Sequence, residues 1–205
     1  MPADTRPVLY VVACGAYPAG QLPDFVRGAQ AQGWDVCVIA TPDGAKFIDD
    51  GNISGLTGHP VRTRYKRPDE PDLLPSPDAL VVAPATFNTV NKWVQGISDT
   101  LALGLLNEAV GLGLPMIAAP WPNAALAAHP AFARSLATLG EWGVTVLLDP
   151  NRLPPAPAQR RAGPGDSPGQ TAQLASLQQP GASFPWDELR ALLPSLRPQP
   201  AEPRS

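Results

Sequence analysis

The sequence predicts one α/β domain built on a mostly parallel sheet, followed by a proline-rich extension. Three observations predict it. Apolar runs of strand length recur at Val8–Ala13 (VLYVVA), Asp35–Ala40 (DVCVIA) and 79–83 (ALVVA). Segments with helical spacing of apolar residues separate such runs. The length, 205 residues, gives one such domain a proper core and leaves too little for two.

Val8–Ala13 is β-branched and apolar throughout, as a central strand buried on both faces must be. A small-residue loop, Cys14 to Gly20, leads into 21–32, where Leu22, Phe25, Val26 and Ala29 share one helical face before Gly33 stops it. Asp35–Ala40 is the second strand, and strand, helix and strand make a right-handed crossover between parallel neighbours. Thr41-Pro42-Asp43-Gly44 is a loop, with a short helix over 45–48. Residues 49–78, rich in Gly, Pro and charge, read as exposed loop with a strand hint only at 61–65.

The run 79–83 breaks at Pro84 into a polar turn, Ala85-Thr86-Phe87-Asn88-Thr89, and resumes with helical spacing through Val90, Trp93, Val94 and Ile97. A second helix spans 101–110, with Asp99 or Thr100 as its cap and Gly111 and Gly113 at its end. Residues 115–119 form a strand that ends in Pro120-Trp121-Pro122-Asn123. A helix over 131–142 places Phe132, Leu136 and Leu139 on one face, and 144–148 is the last strand. The domain therefore occupies 1–150. The tail, 151–205, holds 11 of the 27 prolines and reads as mostly irregular, except for a short helix near 185–193.

Composition excludes several functions. A net charge of −3 and a pI near 5.3, with no Lys/Arg cluster, argue against nucleic acid. The two cysteines, Cys14 and Cys37, and two histidines show no metal-ligand spacing, and the cysteines read as buried, reduced thiols. No apolar run approaches the roughly 18 residues of a membrane span, and the first residues carry no signal-peptide pattern. The expectation is a soluble, cytoplasmic protein with no membrane partner.

The functional signal is concentrated after the 79–83 strand. A buried strand running into a Thr/Asn turn at a helix start is where an open α/β sheet collects its ligand, and free amides at that helix start suit an anion. Asn88 and its neighbours Thr86 and Thr89 are the candidates.

The stretch Ala83-Pro84-Ala85-Thr86-Phe87-Asn88-Thr89-Val90-Asn91-Lys92, continued by Gly96-Ile97-Ser98-Asp99-Thr100-Leu101, resembles the central motif of the homo-oligomeric flavin-containing cysteine decarboxylases. Val8 to Gly20, the Thr41, Ala45 and Phe47 segment, Leu56 to Val61 and Pro120-Trp121-Pro122-Asn123 are similar to further stretches of that family, in the same order. The resemblance implies a three-layer Rossmann-like or flavodoxin-like domain that binds FMN, assembled as a homotrimer or multiple of trimers. It implies flavin-dependent oxidation and decarboxylation of a small thiol or peptidyl-cysteine. Carried over, it puts Gly15, Ala16 and Tyr17 at the FMN phosphate, and Thr41 in a second ligand loop. Thr86, Phe87, Asn88 and Thr89 would contact phosphate or ribityl groups, Trp121 the isoalloxazine, and Asn123 the substrate side.

The chain also departs from the pattern. The family's catalytic His corresponds here to Glu70, and no Cys follows Cys37. His129 and His59 are the remaining imidazole candidates for catalysis, beside Asn123. Each also has a plain reading, as a helix-start residue and a loop residue. The alternative function is a non-catalytic, flavin-binding regulatory or partner-binding protein of the same fold.

Overall fold

β1 (Val8–Ala13), β2 (Asp35–Ala40), β3 (Ala79–Ala85), β4 (Met116–Pro120) and β5 (Thr145–Val146) pair in parallel in the spatial order β2-β1-β3-β4-β5. The structure is a computed structural model and describes residues 6–67, 69–156 and 183–197. This strand order is that of doubly wound, flavodoxin-like folds, whose direction of winding reverses between β1 and β3. The helices are α1 (Leu22–Ala31), α2 (Asp50–Thr57), α3 (Phe87–Val94), α4 (Leu101–Leu112), α5 (Ala124–Ala127), α6 (Pro130–Glu141) and α7 (Trp186–Leu192).

Strand alternation divides the core in two. Leu9, Val11 and Ala13 of β1 face a core shared with Phe25 and Val26 of α1, whereas Tyr10, Val12 and Cys14 face one shared with Val90 and Trp93 of α3 and Leu106 of α4. Every residue of β1, β3 and β4 is buried, which is why these runs are apolar without a polar beat. The Ala83–Pro84 peptide is cis, and the β3–β4 register shifts between Val82 and Ala85.

Four expectations about elements are corrected. Residues 49–78 contain α2, concealed by Gly51 and Gly55 within it, since interior glycines disfavour helix. Asp49 caps it by accepting from the Asn52 amide at 3.0 Å, Gly58 ends it with φ 74°, and Ile53 anchors it to the core. The helix expected over 45–48 is a single 3-10 turn at Gly44–Lys46. Near 61–65 only Arg62 pairs with the sheet, bridging Ile39. β5 is shortened to two residues. The expected irregular tail falls mostly on 157–182 and 198–205, outside the described residues. α7 lies against α1, and Leu189, Leu193 and Leu196 bury into the same core as β1 and α1.

Candidate functional site

The carboxyl ends of β1, β3 and β4 open into one cavity of ≈ 280 Å³, lined by Gly15, Ala16 and Tyr17, by Thr86, Phe87 and Asn88, and by Trp121, Pro122 and Asn123. It lies at the point where the sheet's winding reverses, the place in such folds where loops part and leave a crevice.

Each wall has a local cause. Thr86 leaves β3 with extended backbone and caps α3: its Oγ1 accepts from the Thr89 amide at 3.3 Å and shares a 2.9 Å hydrogen bond with Thr89 Oγ1. The amides of Phe87 and Asn88, first in α3, have no intrahelical carbonyl to meet and stand at the positive end of the helix dipole. Across the gap, Trp121 follows β4, pinned by its amide donating to the Ala85 carbonyl at 2.8 Å. Its ring is nine-tenths buried, yet its buried Nε1 meets no acceptor among the described residues. Asn123 caps α5 through Oδ1, which accepts from the Leu126 amide at 3.0 Å and leaves the side-chain NH2 free to donate elsewhere.

The floor is set by close approach of two loops. A Cβ on Gly44 would stand 2.2 Å from the Ala13 carbonyl oxygen, and one on Gly15 2.8 Å from Asp43 Cβ. Only glycines let the loop after β2 seat against the loop after β1. Thr41 holds that seating: its amide donates to Ala13 O at 2.9 Å, and its Oγ1 accepts from the Gly44 amide at 3.0 Å. The seated loop carries Phe47 to the cavity, edge-on to Tyr17 at 5.3 Å.

The structure thus brings Gly15, Ala16, Tyr17, Thr86, Phe87, Asn88, Trp121 and Asn123 to one cavity. Thr41 and Thr89 are buried and do not line it. Cys14 lies beside Thr86 and Thr89; burial pushes its thiol pKa up, against the opposing pull of hydrogen bonds from the Thr89 side chain and the Thr86 backbone. A buried thiol held in the neutral form is a poor nucleophile.

The two histidines separate. His129 caps α6, packs edge-on to Phe87 at 5.6 Å, and accepts the Ala131 amide on Nδ1 at 3.1 Å. With Nδ1 accepting, the neutral ring carries its proton on Nε2, so His129 is arranged as a donor beside the cavity wall. His59 sits at the other end of the sheet, where its Nε2 meets Asp35 Oδ1 at 2.9 Å. Glu70 is exposed and bonded locally to the Arg67 amide through Oε2 at 3.0 Å.

Four wall residues were not among the sequence candidates: Phe47, Pro122, Leu126 and Pro154. Phe47 carried a signal, through the similarity of the Thr41, Ala45 and Phe47 segment. Pro154 carried none, being one proline in a proline-rich stretch, although its carbonyl accepts from the Ala124 amide at 2.8 Å and so ties that stretch to the loop after β4.

A family model described as Flavoprotein matches residues 3–176. The chain belongs to the flavoprotein family. This flavoprotein is 30% identical over 117 residues to the coenzyme A biosynthesis bifunctional protein CoaBC of Bacillus subtilis (strain 168), a match covering 54% of this chain and 28% of that protein. The chain spans about a third or less of the curated relatives it matches. Its structure is similar to that of the FMN-dependent cysteine decarboxylase TvaF from thioviridamide biosynthesis, with TM-score 0.61 and 26% identity over 68% of this chain and 88% of that one. HAL3 from Cryptococcus neoformans shares the fold over 93% of this chain and 95% of its own, with TM-score 0.60 at 22% identity.

A flavin is therefore the group this flavoprotein's cavity has to accommodate, and the residues fit one. Tyr17, Phe47, Phe87 and Trp121 offer flat apolar walls to a ring system. The first amides of α3 offer donors to a phosphate without calling on Lys or Arg. The Asn123 NH2 is a donor at the cavity wall without a matching acceptor among the described residues. Among the described residues, no helix is long and apolar enough to cross a membrane, and no His/Cys/Asp/Glu group could hold a metal ion.

Proposed function

We propose that this flavoprotein binds FMN in the switch-point cavity and decarboxylates a cysteine-derived substrate, a small thiol or a peptidyl-cysteine. The observation that carries the reading is the convergence of Gly15–Tyr17, Thr86–Asn88 and Trp121–Asn123 on one cavity in a chain matched by the flavoprotein model. The likeness to an FMN-dependent cysteine decarboxylase supports FMN among flavins and a cysteine among substrates.

The chain's own residues have separable tasks. The α3 amides at Phe87 and Asn88, with the Gly15 to Tyr17 loop, would hold the phosphate. Trp121, Tyr17 and Phe47 would clamp the ring and exclude water. Asn123 would orient the substrate through its free NH2, and His129 would present an Nε2 proton at the Phe87 side. Bound flavin supplies the electron-accepting chemistry that oxidation of a cysteine thiol requires. A homo-oligomer, most simply a trimer, would close the cavity with a second copy. In this reading 1–150 carries the strand-end loops that bind flavin, and 151–205 is a tail that packs back on that unit, with Pro154 at the cavity wall and α7 against α1.

The absorption spectrum of the purified protein between about 350 and 500 nm tests the cofactor. Bound flavin colour, or quenched flavin fluorescence on adding FMN, is expected, and a colourless protein that leaves FMN unaltered overturns the reading. Release of CO2 from a cysteine-terminated peptide or a small cysteinyl thiol tests the chemistry. Flavin binding without CO2 release from either would leave a non-catalytic flavin carrier.

A further inference from the structure

The wall that carries Trp121 is backed by a residue from the far end of the chain. Phe184 meets the Trp121 ring edge-to-face at 5.4 Å, Trp186 lies against Phe184 at 4.5 Å, and Phe25 of α1 lies against Trp186 at 5.3 Å. The series runs from the cavity wall to α1, and Phe184 is itself 8% exposed. Its place is fixed from several sides. Arg152 Nε donates to Ser183 Oγ at 3.1 Å and the same guanidinium pairs with Glu188. Trp186 Nε1 donates to Gln21 Oε1 at 2.8 Å, and Gln32 Nε2 donates to the Arg190 carbonyl at 3.1 Å. Arg190 passes so close to α1 that a Cβ on Gly28 would stand 2.6 Å from its Cδ.

Among the described residues, no hydrogen bond fixes the Trp121 ring, which is held by packing within the core. Its Nε1 is buried without a hydrogen bond, so no polar contact sets the plane of the indole. A ring held only by packing takes its orientation from its neighbours, and an edge-to-face partner fixes orientation through the aromatic quadrupole. We infer that Phe184 is a positioning residue for Trp121: the C-terminal segment sets the plane of the indole that faces the cavity. In chemical terms, α7 and its leading Phe184 form a part of the flavin site contributed from outside the strand-end loops. The ligand side of this inference rests on the flavin reading above; the placement of the ring does not.

The test uses the full chain and two variants. Phe184→Leu keeps an apolar side chain in place and removes the ring edge. Leu196→Ala opens the same core, where Leu196 is 3% exposed, without touching Trp121's aromatic partner. The first readout is independent of flavin: solvent exchange of the Trp121 indole Nε1–H, identified by its loss in Trp121→Phe. The second is the FMN dissociation constant from flavin fluorescence.

Phe184→Leu is expected to speed the indole exchange and to raise the dissociation constant roughly three- to tenfold, with a shifted spectrum of the bound flavin. Leu196→Ala is expected to lower the melting temperature and leave both readouts as in the natural chain. A natural chain that fails to retain FMN overturns the flavin reading, and indole exchange then decides the role of Phe184. Phe184→Leu matching the natural chain in exchange overturns the positioning role, as does Leu196→Ala reproducing both changes.

Discussion

The two ends of the parallel sheet use similar residues to opposite effect. At the amino end, Asp78 accepts the Val8 amide at 2.7 Å, Asp35 takes His59 at 2.9 Å, and Thr57 Oγ1 lies 3.0 Å from both the Ile53 and the His59 carbonyl, between which its one proton is shared. The polar groups of these residues are spent on one another. At the carboxyl end the first α3 amides have no intrahelical carbonyl to meet, and Asn123 at the cavity wall uses its Oδ1 in a cap, which leaves its NH2 to donate. A histidine beside an aspartate looks like chemistry in a list of side chains, yet the cavity lies at the other end, where helix-start amides are left without carbonyl partners.

The strongest way to break the contrast is to unseat the cavity floor. Gly44→Ala must push the loop after β2 off Ala13 O, 2.2 Å from the new Cβ. A cost on the order of 3 kcal/mol is expected from such overpacking, together with loss of FMN binding; urea denaturation and flavin fluorescence check the two separately. A variant as stable as the natural chain would show that the loop can lift without cost.

Alkaline titration probes both ends at once. Cys14 lies at the carboxyl end; Cys37 lies two residues beyond Asp35 and is pushed up to about 12 by burial first and by the Asp35 charge second. Burial chiefly, with repulsion from Cys37 second, also pushes Tyr10 up to about 12, and its hydroxyl donates to the Pro75 carbonyl at 2.7 Å. The unfolded chain ionises these groups near their ordinary values while the folded chain keeps their protons. Their contribution is therefore fully present below about pH 8.5 and is lost as pH rises toward 12. The loss amounts to about 1.4 kcal/mol per pH unit for each group once its unfolded form is ionised. Denaturation midpoints between pH 8 and about 11 should fall accordingly, and neither thiol should react with a thiol reagent at pH 8 in the native protein. Rapid labelling of Cys14 would mean that the cavity floor opens.

A matched pair of caps sharpens the comparison. Thr86→Ala and Thr100→Ala each remove a hydroxyl that caps a helix, accepting from Thr89 N at 3.3 Å and from Leu103 N at 3.2 Å. Each should cost about 1 kcal/mol. Only Thr86→Ala should weaken FMN binding, because Thr100 does not line the cavity. Equal effects on FMN would reduce Thr86 to a stability residue.

What was legible in the sequence follows from which forces act locally. β1, β2 and β3 announce themselves because strands buried on both faces must be continuously apolar. Thr86 to Asn88 were legible because a cap and its free amides are built from consecutive residues. α2 was hidden because Ile53 and Thr57, its buried residues, hold it through tertiary contact, against the low propensity of Gly51 and Gly55. Phe184's contact with Trp121 spans 63 positions along the chain, and no local pattern encodes it. His59 and His129 looked alike for the same reason: what separates them is which end of the sheet each one reaches.

The smallest effect expected is at that amino end. His59→Gln removes the imidazole from Asp35 but leaves an amide able to donate to the same carboxylate. Both side chains are partly exposed, 22% and 15%, so solvent shares the load. A change within about 1 kcal/mol is expected, as for partly solvated pairs generally, with no change in FMN affinity or in CO2 release. The variant separates the two readings of this histidine cleanly, because a catalytic role across the length of a strand would require His59 to leave Asp35 and cross the sheet. If CO2 release collapses while the melting temperature holds, the contrast between the two ends fails, and catalysis would depend on the end of the sheet where the polar groups are already paired.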